Sequence, residues 1–163
     1  MTLTIDAIAP AALAVAAASD LASRRIPNAL SLTVAVAGLA ASTGPLQAAS
    51  GLVASAICLA LMLPLWRRRA IGGGDVKLLA AAAAWVRLEH LFVFGLAVAL
   101  CGGLLALIVL ARASAAELRL VRANAVASLA MSRPAVARSA GTSIPYGVAI
   151  ALGAAIATSG ALS

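Results

Sequence analysis

Charge is scarce in this chain, and negative charge scarcest. Charged residues make up 10% of the 163 residues and aromatic residues 3%, whereas a soluble domain carries about 25% charge. There are two cysteines, too few for a disulfide-stapled secreted domain. They form no Cys-x-x-Cys pair, and with a single histidine they give little support to a zinc site. No Ser/His/Asp arrangement, P-loop or dinucleotide fingerprint is present. What fills the chain instead is apolar: 64% hydrophobic residues, 45 alanines and a mean hydropathy of +1.09. That excludes disorder, which needs low hydrophobicity. Alanine, leucine and glycine in long runs suit helices packed in a membrane. The expected fold class is an all-α polytopic membrane protein.

A helix crossing a bilayer needs about 20 mostly apolar residues. Six candidates are predicted: Thr4–Ser23, Ile26–Ser42, Ala48–Trp66, a short Val76–Val86, Leu91–Ala111 and Ile144–Leu162. Pro27 suits the first turn of the second, and Gly44-Pro45 marks the turn before the third. With the N-terminus outside, the loops after the first, third and fifth helices hold eleven of the twelve basic residues, and only Arg87 lies outside. Basic residues stay on the cytoplasmic side, so six spans with both termini outside are expected. The net charge of +7 is then a topology signal, and nucleic acid is not needed to explain it. The first segment reads as a retained helix, because its arginines follow the apolar stretch whereas those of a signal peptide precede it. In the last cytoplasmic loop, Arg112 to Thr142, Leu118, Val121, Ala125 and Leu129 recur at helical spacing. That pattern suits an amphipathic helix on the inner leaflet, ending near Pro134, and equally a solvated linker. Residues 1–163 are expected to form a single domain.

The five acids can be considered one by one. Asp6, Glu89 and Glu117 fall where water or headgroups solvate them. Asp20 and Asp75 differ: the first lies in the last turn of helix one, the second directly after Gly72-Gly73-Gly74. The topology puts both near the inner boundary of the hydrocarbon, where an ionisable group is costly and suggests function. Two carboxylates sharing one proton supply a general acid and a general base together, which is what activating water against a peptide carbonyl requires. The glycines would let a substrate backbone approach closely. Structural explanations also exist: an i,i+4 pairing of Asp20 with Arg24, and Asp75 as a helix N-cap. Cys58 and Cys101 read as small core residues.

Three stretches then match one family. They are Asp20-Leu21-Ala22-Ser23-Arg24-Arg25-Ile26-Pro27-Asn28, Gly72-Gly73-Gly74-Asp75-Val76-Lys77-Leu78-Leu79 and Ile144-Pro145-Tyr146-Gly147-Val148-Ala149-Ile150. In these the sequence resembles the type IV prepilin peptidases, membrane aspartic proteases of the GxGD type, in the short form found in tight-adherence (Flp-type) pilus systems. The resemblance implies that Asp20 and Asp75 are the catalytic pair. It implies a substrate too, a pilin-like precursor whose short basic leader is cut at the cytoplasmic face of the inner membrane, usually just after a glycine. Gly72, Gly73, Gly74, Lys77, Pro145 and Tyr146 are expected to bind substrate or shape the site. An interfacial anchor would also explain Lys77, and a helix start Pro145. Longer family members add a cytoplasmic domain with paired CxxC motifs, and many methylate the new N-terminus. This chain has neither the domain nor the cysteines, so peptidase activity alone is expected, with no metal or organic cofactor. Two other classes use the same residues differently. A small ion- or proton-coupled transporter would use the carboxylates as a relay, and a scaffold subunit would use them only to pair with arginines.

Overall fold

A computed structural model of the chain describes residues 2–68, 71–116, 118, 119, 121–123 and 145–159. The regular elements among them are helices: α1 (Thr2–Ser23), α2 (Asn28–Ala40), α3 (Pro45–Arg67), α4 (Gly73–Val86), a 3-10 turn (Leu88–His90), α5 (Leu91–Arg112) and α6 (Tyr146–Ser159). Residues 115, 116, 118, 119 and 121–123 are also helical, with the Leu118 amide bonded to the Ser114 carbonyl at 3.0 Å. The expected surface helix therefore begins where its pattern begins. Its Ala125, Leu129 and Pro134 lie outside the described residues, as do Glu117 and Ile144.

The helix ends follow from local chemistry, with small shifts from the sequence expectation. Pro27 sits one residue before the first helical position of α2, with φ −59° and ψ 136°, which holds the entering chain extended. Pro45 opens α3 itself, where its missing N–H costs nothing. Gly73 and Gly74 are helical, so Asp75 is the third residue of α4, and Gly72 occupies the N-cap. α1 stops at Arg24, whose φ of 54° turns the chain and whose amide donates to the Asp20 carbonyl at 3.0 Å.

α4 is the central helix, packed against α2, α3, α5 and α6. Its Val76, Leu78, Ala80 to Ala84 and Val86 are buried. The alanine run makes this possible. In lipid no hydrophobic force draws helices together, so association depends on close contact through small residues. A Cβ at Gly38 would lie 2.6 Å from the Trp85 Cβ, and one at Gly51 would run into the Ala84 carbonyl oxygen. On the other side of the bundle a Cβ at Gly153 would lie 2.5 Å from Val98 Cγ2, seating α6 against α5.

Large apolar side chains are exposed as well as buried. α3 exposes Leu52, Val53, Leu59 and Leu61, and α5 exposes Phe92, Leu96, Leu100 and Leu104. These two helices are long and apolar enough to cross a membrane, over Pro45–Arg67 and Leu88–Arg112. The apolar stretches Ala7–Ser23, Asn28–Ala40 and Tyr146–Ser159 are shorter. Helices apolar on every face are sited in lipid or in a large core, and few side chains of α3 and α5 are covered by protein.

Candidate active site

Asp20 continues the inward stripe of α1, which runs through Ala9, Leu13 and Ala16 at helical spacing. It is 6% exposed, and Ser31 is the other buried polar residue among those described. A buried carboxylate needs a donor. It finds one in the backbone amide of Gly147, which donates to Asp20 Oδ2 at 2.8 Å. Gly147 is the second residue of α6, so its N–H has no carbonyl of its own helix to bond, and it sits at the positive end of the helix dipole. Asp20 Oδ2 occupies the place of that missing carbonyl.

Glycine makes this approach easy. A Cβ at position 147 would stand 3.0 Å from Asp20 Cβ, 3.1 Å from Oδ2 and 3.3 Å from Cγ. The flanking residues seat the helix start. Pro145 is buried immediately before α6. The Tyr146 ring lies over α5, where a Cβ at Gly102 would come within 3.1 Å of Tyr146 Cε1.

Asp75, half-buried, folds back over the start of its own helix. A Cβ at Gly72 would lie 2.9 Å from Asp75 Oδ2 and 3.6 Å from Cγ. Each glycine of the triplet has a different neighbour. Gly72 makes room for the Asp75 carboxylate, a Cβ at Gly73 would lie 3.1 Å from the Trp66 indole nitrogen, and one at Gly74 would lie 3.4 Å from Ile26 Cβ. The run thus lets the chain between α1 and α2, the end of α3 and the first turn of α4 close on one another. Lys77, exposed, donates from Nζ to Asn28 Oδ1 at 3.2 Å, linking α4 to the first residue of α2.

These contacts gather the C-terminal end of α1 and the N-termini of α2, α4 and α6 at one end of the bundle. Asp20, Asp75, the glycine triplet, Lys77 and Pro145 lie there, and Tyr146 reaches from there onto α5. Glu89 lies in the 3-10 turn after α4, at the opposite end. The contributions of Gly147, Asn28 and Trp66 went unassigned in the sequence. Gly147 and Asn28 were visible only as members of matching stretches, and Trp66 gave no signal.

The arrangement brings helix N-termini, which offer unpaired amides and positive potential, to the two carboxylates. Comparison with curated proteins and comparison with solved structures both give no match. The sequence model of the type IV leader peptidase family matches residues 7–107, more than half of the chain, including Asp20 and Asp75. The chain therefore belongs to the type IV leader peptidase family, a family of proteases.

Proposed function

We propose that the protein is a membrane aspartic endopeptidase that removes the short basic leader of type IV pilin-like precursors. It works at the cytoplasmic face of the inner membrane, with residues 1–163 as one six-span unit and both termini outside. The observation that carries this reading is the pair Asp20 and Asp75 at one end of an acid-poor bundle, in a chain of the leader peptidase family.

In the reaction, one aspartate is ionised and takes a proton from water as the water oxygen attacks the scissile carbonyl carbon. The other holds a proton and hydrogen-bonds the carbonyl oxygen. As the C–N bond breaks, a proton passes to the leaving amine, and the dyad returns to its starting state with one proton. The two groups titrate as a pair, so acid and base are properties of the dyad. Gly72 leaves room for the Asp75 carboxylate, Gly73 and Gly74 let Trp66 and Ile26 close around the start of α4, and the α6 amide orients Asp20. The leader's basic residues stay on the cytoplasmic side with the chain's own arginines.

The test is coexpression with a pilin-like precursor carrying a basic leader, read as a mobility shift in membranes. Asp20→Asn and Asp75→Asn should each abolish leader removal while the protein remains inserted. Normal processing by either variant would overturn the dyad. A periplasm-active reporter fused after Arg69 should be silent, and activity there would overturn the topology.

A further inference from the structure

The family match ends at residue 107, yet the donor to the first aspartate comes from residue 147. We propose that Gly147 is a positioning residue for Asp20, so that the first turn of α6 completes the catalytic apparatus. This rests on the peptidase reading and extends it to a part of the chain that the family match does not reach.

Three observations carry it. Asp20 is buried, and its Oδ2 is held at 2.8 Å by a backbone N–H, a donor that neither rotates away nor titrates. A Cβ at the position next to Asp20 would stand only 3.0–3.3 Å from it, so the Asp20 side chain would have to give by a few tenths of an ångström. α6 is also braced at its first turn from the other side, by the Tyr146 ring over Gly102. The amide is therefore fixed by α5 and cannot follow Asp20 if that side chain moves. With Oδ2 committed to Gly147, Oδ1 is the oxygen that exchanges a proton with water. A carboxylate locked in torsion keeps its working oxygen aimed, and misplacement by about 1 Å costs on the order of 10²-fold in rate.

Gly147→Ala inserts a methyl group against Asp20. It should lower kcat by about 10- to 100-fold with KM changed less than about threefold, since the ground-state contacts of the precursor are untouched. The comparison is Gly153→Ala, which strains the α5–α6 seam away from Asp20. It should lower thermal stability without lowering kcat per folded molecule, and Val98→Ala should restore part of that stability by removing the clashing methyl. An equal loss of kcat in both glycine variants would overturn the proposal in favour of simple packing.

A second readout does not depend on cleavage. Infrared spectra with isotope-labelled aspartate, assigned by difference against Asp20→Asn, should show the Asp20 carboxyl band displaced in Gly147→Ala and unmoved in the Gly153→Ala, Val98→Ala double variant. An unmoved band in Gly147→Ala overturns the proposal. If wild-type protein cleaves no precursor while the band moves, the peptidase reading falls and the Gly147 anchor stands. Should Gly147→Ala not accumulate, a stability cycle with Asp20→Gly replaces it. The alanine should then be costly only where Asp20 is present, and equal cost in both backgrounds overturns the anchor.

Discussion

The two ends of the bundle handle charge in opposite ways. At one end the N-termini of α2, α4 and α6 converge, and the carboxylates of Asp20 and Asp75 sit among them. At the other, α2 and α4 finish, and Arg87 reaches from Nη2 to the Ala41 carbonyl at 3.4 Å. The Leu88 amide there is taken by Ser50 Oγ at 3.0 Å. Helix N-termini are positive and C-termini negative, so Asp20 beside the start of α6, Asp75 in the first turn of α4 and Arg87 at the end of α2 each meet the dipole end that favours them. This accounts for Arg87, the basic residue that the topology count leaves outside: it serves the end of α2. Steric demand is met in two ways at each end. Glycine admits close approach at Gly72, Gly73, Gly74 and Gly147 beside the carboxylates, and at Gly38 and Gly51 toward the other end. Each end also keeps an arginine at positive φ: Arg24 at 54°, and Arg87 at φ 68° and ψ 172°, a region that is essentially glycine's own.

The contrast can be broken most strongly at the carboxylates. Asp20→Asn and Asp75→Asn each remove half of an acid–base pair, and cleavage should fall by about 10³-fold or more while insertion is kept. A precursor-cleavage time course in membranes measures this. Gly72→Ala comes next. Its methyl would stand 2.9 Å from Asp75 Oδ2, so the carboxylate must swing away, and kcat should drop on the order of 10-fold or more. Retained activity there would mean that Asp75 works in another orientation. Gly51→Ala sharpens the comparison from the packing side. Its methyl meets the Ala84 carbonyl, so about 1–3 kcal/mol of stability should be lost, with turnover per folded molecule unchanged. Thermal unfolding in detergent, paired with active-site-normalised rates, separates the two. The smallest effect is expected at Arg87→Gly. Relief of the backbone strain is of order 1–3 kcal/mol, and the lost bond to Ala41 is of order 0.5–1.5 kcal/mol. These nearly offset, so stability should move by less than about 2 kcal/mol with cleavage intact. A large loss of cleavage would mean that the opposite end also serves the reaction.

Much of the helix layout was legible in the sequence, because its signals are local. Pro27, Gly44-Pro45 and the glycine triplet mark α2, α3 and α4 within three residues. The shift at the start of α4 is local as well. Asp75 reads as the opening of a helix, yet Gly73 and Gly74 take helical geometry ahead of it, because Trp66 and Ile26 pack onto their bare faces. The i,i+4 relation of Asp20 to Arg24 is present in the backbone, as the hydrogen bond that ends α1. Tyr146 was expected to shape the cleft, and its ring packs on α5. The part in contact with Asp20 is the amide of the next residue.

The sequence by itself determined the solvent, the helix boundaries and the acids worth considering. Hydropathy, glycine and proline positions and a count of five carboxylates are properties of composition and near neighbours. Only the tertiary structure decided which helix became central and which backbone amide met Asp20. That hydrogen bond joins residues 127 apart. Helical spacing sets which face of α1 carries Asp20, but not what stands opposite it. The partner is settled by how α5 seats the start of α6, and that depends on the close contact of Tyr146 with Gly102 that no local pattern encodes.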